Sequence, residues 1–564
     1  ETKLTSLSGW TVTASGQEFQ IGRRDAVESS AYDSNLYSDS KLTFLSVPAA
    51  EPGNVVAFEY EQRDRPYSLQ DVWELHRGVP VRLARYTLVM PDGWSQEAKW
   101  FNSEPVAPQS AGNTTRWEVR DLPEIKDEPR MPSPRSIGAR VGINFIPPEE
   151  RERLAGKSHR TWDDVAKTYT SLIATQGGAT PALQAKAREL MAGKETTLAK
   201  IAALAAFAQK DVRYVAIEIG IGGLQPHAAG DVLANRYGDC KDKVTVLAAM
   251  LREAGVESHY VLANVYRGWV DPSFATLSAF NHAIIAIRLP RDVDTKGMQA
   301  VVEHPTAGKL LLFDPTSETT PFGALPYYLQ DNHVLVVDGA KGHLVTVKPH
   351  APEASQMSLS AKLKLDANGA LSGEVTEVRR GAMAGWMRQT LAPLDEAARK
   401  QFYDRRVANH LTGATTVSGL TVENADDSSK DLVVRYTIQS AAYAKRTGGM
   451  LLVRPRVLGT KVETVLDLKD RKYGYETDGP SLEIDEIEIA LPFGTTVAEL
   501  PPPANVVTPV LRYKSEAKAD GSKLSYRREY RVDGLMVSLE ALPELNKAFA
   551  AIVKDEKNSA ILKE

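Results

Sequence analysis

The stretch Asn235-Arg236-Tyr237-Gly238-Asp239-Cys240-Lys241-Asp242-Lys243-Val244 decides how the centre of this chain is read. Downstream of it Val244, Leu247, Leu251 and Ala254 recur at helical spacing and stop at Gly255, a residue suited to the left-handed position that ends a helix. Asp239 reads as the N-cap and Asp242, three residues on, as its partner in a capping box, so Cys240 opens a helix. A thiol in that first turn feels the positive end of the helix dipole, and Lys241 and Lys243 add to it, which favours the thiolate. By position alone the same residue reads equally well as a small buried apolar side chain. A partner base has to decide.

Two further segments supply candidates. Phe280-Asn281-His282 leads directly into the apolar run Ala283-Ile284-Ile285-Ala286-Ile287, which places a histidine at the start of a buried strand, rigidly held and within reach of a cleft. Taken alone, it also reads as a structural histidine. Asp314 follows Leu310-Leu311-Leu312-Phe313 and precedes Pro315-Thr316, an acid at the end of the next strand. The turn-rich segment from Pro290 to Lys309 makes these strands antiparallel neighbours, so the start of one lies beside the end of the other. A carboxylate there can accept the imidazole N–H, fix the tautomer and stabilise the imidazolium formed when His282 takes the thiol proton. Cys240, His282 and Asp314 are the candidate catalytic triad.

Composition bounds the rest. The chain has 564 residues, too many for one hydrophobic core, with 43% hydrophobic and 25% charged residues, the balance of a folded globular protein. Its formal net charge is -4 and it has no basic block, which removes the electrostatic basis for nucleic-acid binding. The longest nearly apolar stretch, around Ile201 to Ala208, is too short to span a bilayer, so no integral membrane segment is expected. A single cysteine excludes intramolecular disulfides and any Cys-Cys metal site. No cofactor and no metal are expected.

The patterning implies an α+β multidomain chain. From Trp10 to about Arg120 short runs alternate apolar and polar residues, as in Val55 to Tyr60 and Val81 to Leu88, with turn signals such as Glu51-Pro52-Gly53-Asn54 between them; this is an antiparallel β-sandwich pattern. The proline- and charge-rich segment from Pro123 to Glu150 reads as an extended connector. Helical periodicity follows from Trp162, from Pro181 to Met191 and from Thr196 to Gln209. After His350 alternation returns in Met357 to Leu365, Asp431 to Ile438, Leu482 to Leu491 and Lys523 to Val532, with a helical stretch from Leu394 to Leu411 and a closing amphipathic helix from about Ala541 to Val553. The expected divisions are a β-sandwich over 1–150, a catalytic α+β core with its leading helices over 151–345, and a β-rich domain over 346–564.

The runs Arg213-Tyr214-Val215-Ala216-Ile217-Glu218-Ile219-Gly220, Gly223-Leu224-Gln225-Pro226, Tyr237 to Asp242, Phe280-Asn281-His282 and Phe313-Asp314-Pro315-Thr316 together resemble bacterial transglutaminase-like proteins that carry a DUF3857 domain. Val47-Pro48 and Glu51 to Val56 resemble the DUF3857 portion itself. The resemblance implies a papain-like α+β core, with Cys240 on a central helix packed against the sheet bearing His282 and Asp314. It implies that Cys240 is the nucleophile, His282 the base and then acid, and Asp314 the orienting group, acting on a protein or peptide substrate through a thioester. The backbone N–H of Cys240 would be one oxyanion donor, with the side chain of Gln225 or, in competition, Tyr214 as the second; Gln225 also reads as a turn cap. The resemblance further implies export to the periplasm or beyond, which fits a chain starting at Glu1 after leader removal, as does trimming.

Three readings compete: acyl transfer to an amine, hydrolysis by a cysteine peptidase or amidase on the same triad, and a non-catalytic envelope binding or assembly module. Gly220-Ile221-Gly222-Gly223 lacks dinucleotide spacing and reads as a turn. His227, with only Asp231 nearby in sequence, is a poor metal ligand, and Trp73, Trp94 and Trp100 read as sandwich core.

Overall fold

The apolar runs at the middle of the chain are nearly unbroken because the sheet they form is covered on both faces. Strands Val301–His304, Gly308–Phe313, His282–Arg288, Ser258–Ala263, Asn332–Asp338 and Lys341–Val347 lie side by side in that order, all antiparallel. One face carries Tyr260, Leu262, Ala283, Ile285 and Phe313 into a core shared with the helices. The other carries Val261, Ile284, Ala286 and Leu312 against Leu289, Leu325 and Leu329 from the connecting loops. Alternation therefore vanishes from the sequence while remaining in the structure. The computed structural model describes residues 2–30, 36–65, 68–148, 158–461 and 466–563.

The helices against the first face are Trp162–Ile173, Pro181–Met191, Thr197–Lys210, Ala229–Asn235 and Cys240–Glu253. Thr161, Thr180 and Thr196 each cap the helix that follows, accepting a backbone N–H from Asp164, Leu183 and Ala199. The Cys240 helix lies in the middle, with Val244, Val246, Leu247, Met250 and Leu251 all inaccessible to solvent. Such a central helix against an antiparallel sheet is a papain-like α+β core.

Before this core the chain is β-rich. Strands Val81–Val89 and Thr114–Leu122 belong to one three-stranded sheet, and Gln70–Glu74, Arg140–Ile146 and Ser95–Phe101 make another. The two sheets enclose Trp117, Val141 and Ile143, with Trp73, Trp100 and Tyr86 packed against them. Trp73 and Trp100 are thus partly buried against this core. A third sheet joins Glu18–Gly22, Thr2–Val12 and Val55–Asp64. The expectation of an extended connector from Pro123 to Glu150 fails over Arg140–Ile146, which is the buried middle strand of its sheet. Its Val-Gly-Ile-Asn-Phe-Ile run was outweighed by the prolines and charges around it. The division expected at residue 150 lies outside the described residues.

After the core, eight strands form one sheet running from Thr415–Glu423 at one edge to Ala504–Val507 at the other. A parallel pair, Gln356–Leu365 with Ser481–Ala490, joins its two halves. The helical stretch expected from Leu394 to Leu411 is the helix Glu396–Ala408, a further helix, Gly381–Leu391, precedes it, and the closing helix spans Leu542–Asp555. No helix among the described residues is long and apolar enough to cross a membrane.

Candidate active site

Local sequence fixes the cysteine. The Asp239 carboxylate accepts the Asp242 N–H at 3.3 Å, and the Asp242 carboxylate accepts the Asp239 N–H at 3.2 Å, closing the capping box that the spacing predicts. Gly238 permits this closure, since a Cβ there would sit 2.5 Å from the Cβ of Asp242. Tyr237–Gly238 pairs in parallel with Arg213–Tyr214, which brings Tyr214 beside the approach to Cys240. The left-handed Arg236, at φ 58°, turns the chain out of the preceding helix into this pairing.

The two lysines are spent otherwise than expected. Lys241 pairs with the Asp239 carboxylate, and both groups are buried. Lys243, fully buried, donates to the carbonyls of Gln209 (3.1 Å) and Val212 (2.8 Å), where it holds the end of the helix Thr197–Lys210. Burial pushes its ammonium down to about 8, against the pull of Glu318 and Asp314. Burial and the neighbouring Asp242 charge push the Asp239 carboxyl up, opposed by Lys241. His227 is joined not to Asp231 but to Asp242, whose carboxylate accepts both its N–H (2.7 Å) and its ring Nδ1–H (3.0 Å).

Tertiary structure fixes the other two members. His282 begins its strand opposite Ala263, and its Nε2 lies 3.0 Å from Asp314 Oδ2. The strands bearing the two residues are antiparallel neighbours as expected, but their register pairs Ile285 with Phe313. On that count Asp314 lies opposite Ile284 and reaches His282 along the diagonal. Asp314 has no exposed side-chain surface and His282 only 9%. The second Asp314 oxygen accepts from the backbone N–H (2.9 Å) and hydroxyl (2.6 Å) of Thr316, and the Tyr328 hydroxyl donates to Oδ2 at 3.2 Å.

The Cys240 side chain is the other group that acts on the His282 ring. With Nε2 given to Asp314, Nδ1 is the nitrogen left for sulfur. Burial alone would lower the imidazole, but the Asp314 carboxylate, its hydrogen bond and the contact with Cys240 hold it up to about 10. Asp314 is pushed up by burial yet held below the usual carboxylate range by His282 and the two Thr316 hydrogen bonds. The pair is therefore an imidazolium–carboxylate at neutral pH.

Of the two expected oxyanion groups, Gln225 donates its amide to the Leu172 carbonyl at 2.8 Å, in the last turn of the helix Trp162–Ile173. The Tyr214 hydroxyl is raised well above its ordinary value by burial and by Cys240, Asp239, Glu218 and Asp314, so it stays protonated within electrostatic range of the sulfur. Sequence reading missed Thr316, Tyr328 and the His227–Asp242 pair. Asp314-Pro315-Thr316 carried a usable turn signal; Tyr328 carried none. One further group, His304, Asp338 and His343, brings ligand-type atoms within 4.8 Å of one another. The Nδ1 of His304 accepts the Ala307 N–H at 3.1 Å, so the neutral ring carries its proton on Nε2 and has no free lone pair for a metal.

Comparison with known proteins gives the same assignment for the core. Residues 184–314 match the transglutaminase-like superfamily, residues 1–126 match DUF3857 and residues 449–562 match DUF3858, the last two being domains of unknown function with solved structures. The chain therefore carries a transglutaminase-like core between a DUF3857 and a DUF3858 domain. No curated protein matches it. A "putative protease" from Parabacteroides distasonis ATCC 8503 shares the fold, with a TM-score of 0.63 at 12% identity over 100% of this chain and 89% of the other. A "putative cysteine protease" from Cytophaga hutchinsonii is 12% identical over 44% of this chain and 74% of its own, with a TM-score of 0.19, too low to bear on the fold.

Proposed function

We propose that this chain is a thiol acyl-transfer enzyme acting on carboxamide or peptide groups of proteins. The observation that carries the reading is one imidazole held 3.0 Å from the buried Asp314 carboxylate and within electrostatic range of Cys240, which opens a helix. In this mechanism the Cys240 proton is already held on His282 Nδ1 as part of the imidazolium, and the sulfur attacks the carbonyl carbon. The tetrahedral oxyanion is met by the Cys240 N–H and the Tyr214 hydroxyl. The C–N bond then breaks, His282 returns its proton to the departing amine or ammonia, and a thioester remains. A second amine, or water, loses its proton to His282, attacks the thioester and regenerates the sulfur. Asp314 keeps the ring oriented and the imidazolium stable throughout. An exported, periplasmic setting belongs to the proposal and rests on the sequence resemblance; cell fractionation tests it.

The test uses a glutamine-containing peptide and a labelled primary amine, followed by mass spectrometry. Amine incorporation that is lost in Cys240→Ala supports transfer. Ammonia release or peptide cleavage without an adduct supports hydrolysis on the same triad and removes the transferase reading. The non-catalytic reading wins if Cys240 alkylates at about pH 6 no faster than an ordinary thiol of pKa about 8.5 and His282→Ala slows it no further.

A further inference from the structure

The loop that delivers His282 is laid on a sheet that belongs to another part of the chain. Residues 264–281 run from the end of one central strand to His282, and their contacts with Gln70–Glu74, Arg140–Ile146 and Ser95–Phe101 are specific. The two N–H groups of the Gln70 amide are shared among three acceptors, the Ala275 carbonyl at 2.7 Å, the His159 carbonyl at 2.9 Å and Asn144 Oδ1 at 2.6 Å. One side chain thus ties its own sheet, the entry to the helices and the loop. Buried Arg140 lies between the rings of Phe101 (4.9 Å) and Trp269 (4.0 Å) and donates to the Trp269 carbonyl at 2.7 Å. Phe274 meets Phe101 edge-on at 5.8 Å and lies against Gly142, where a Cβ would fall 2.6 Å from its ring.

From Ala275 the path to His282 is short and stiff. Thr276 caps the turn Leu277–Ala279, Asn264 donates to the Ala279 carbonyl at 2.7 Å, and Asn281 accepts the Val265 N–H at 3.0 Å. A displacement imposed at residues 269–275 has little slack to absorb it before the histidine. The cysteine side is touched as well, since Leu36–Ser38 pairs in parallel with Ala216–Glu218 and Asp39 accepts the Gly220 N–H at 2.9 Å.

We infer that the N-terminal β-region is part of the active-site framework, and that Gln70, Arg140 and Gly142 are positioning residues which set His282 against Cys240 through the loop 264–281. The inference rests on the proposed triad. None of the three touches the reacting atoms. Gln70 and Arg140 act by holding carbonyls of the loop, Gly142 by leaving room for Phe274.

The test reads the single native cysteine of the full-length chain. Carboxymethylation of Cys240 is timed at about pH 6 and about pH 9.5, and the ratio of the two rates cancels simple accessibility, since an ordinary thiol is largely ionised at the higher pH. His282→Ala sets the floor of that ratio. Gln70→Leu, which keeps the bulk and removes all three donated bonds, and Gly142→Ala, which pushes on Phe274, are expected to lower the ratio about tenfold while the protein stays folded by circular dichroism. Adding Phe274→Leu to Gly142→Ala removes the ring atoms that the new methyl meets and should restore the ratio. Folded variants with the native ratio, against a lowered ratio in His282→Ala, overturn the inference and leave the triad standing. An unchanged ratio in His282→Ala overturns the triad and the inference together. If Gln70→Leu fails to fold, the Gly142→Ala pair decides.

Discussion

The two halves of the candidate site are held in different ways. The start of the Cys240 helix is set mainly by residues close to it in sequence, through the Asp239–Asp242 capping box and the close approach at Gly238, and by the pairing of Tyr237–Gly238 with Arg213–Tyr214. His282 and Asp314 depend on strand register, on Thr316 and Tyr328, and on a loop resting on a distant sheet. A nucleophile can be built locally because a helix terminus is a local object. A base and its orienting acid must converge from separate strands, so their precision is a property of the tertiary structure.

Catalysis should break first at the junction of the halves. His282→Ala removes the proton carrier and leaves the cysteine helix intact, so turnover should fall about 10²- to 10⁴-fold, and because the buried Asp314 carboxylate loses its countercharge the thermal midpoint should fall too. Amine incorporation or peptide hydrolysis measures the first and a melting curve the second. Equal turnover in the variant would mean that the junction carries no chemistry.

The non-local half should fail in stability as well as rate. Asp314→Asn leaves a buried imidazolium without its countercharge, which costs about 3 kcal/mol or more. The pH dependence follows from the two shifts. His282 is raised from its ordinary 6.5 to about 10, so its contribution is complete below about 6.5 and is lost as pH rises through about 10. Asp314 is lowered from its ordinary 3.8, so its contribution is present above that value and is lost as pH falls through the lowered one. The gap in unfolding free energy between native protein and Asp314→Asn should be widest between these ordinary values and narrow toward pH 10 in urea titrations. A gap that widens with rising pH would contradict the ion pair.

This contrast also sets what the amino-acid order could reveal. The cysteine helix, its cap and its stop at Gly255 were legible because capping spacing, helical periodicity and a left-handed glycine act within a few residues. His282 and Asp314 were legible as strand ends, since unbroken apolar runs mark sheets buried on both faces. Their register was not, because it depends on how the hairpin Val301–His304 and Gly308–Phe313 folds between them. Lys243 misled for a related reason: adjacency to Cys240 said nothing of its turning beneath the helix onto Gln209 and Val212. Arg140–Ile146 was hidden by the prolines and charges on either side, although its own residues favour a strand.

Local construction makes its own prediction. Gly238→Ala sets a methyl against Asp242 Cβ at the entrance to the helix, and relief requires the capping box to open. The cost should be about 1–3 kcal/mol, together with slower alkylation of Cys240 at low pH, because the helix terminus no longer faces sulfur squarely. The His282–Asp314 contact should survive, so the pH dependence of unfolding should keep its native shape. A changed shape would show that the two halves are coupled more tightly than their contacts imply.

The smallest effect separates holding a catalytic group from being one. Tyr328 donates to the same Asp314 oxygen that receives His282, and its pKa is held up by burial and by that carboxylate, so the phenol remains a donor across the working range. In Tyr328→Phe the aspartate keeps His282 and both Thr316 bonds and loses one hydrogen bond of four. Deleting one bond to a charged acceptor costs about 1.5–3 kcal/mol when the site is dry; here the phenol is only half-buried and water can replace it, which brings the expected loss to about 1 kcal/mol. With one of the bonds that stabilise its carboxylate gone, Asp314 should titrate higher, and the acid limb of the stability profile should move up in pH while the alkaline limb near pH 10 stays in place. Turnover should fall by no more than about tenfold, in kcat with KM unchanged, because no substrate contact is lost. A fall as deep as that of His282→Ala would place Tyr328 among the groups that meet the reacting atoms, and the non-local half would then hold one more catalytic residue than its geometry assigns.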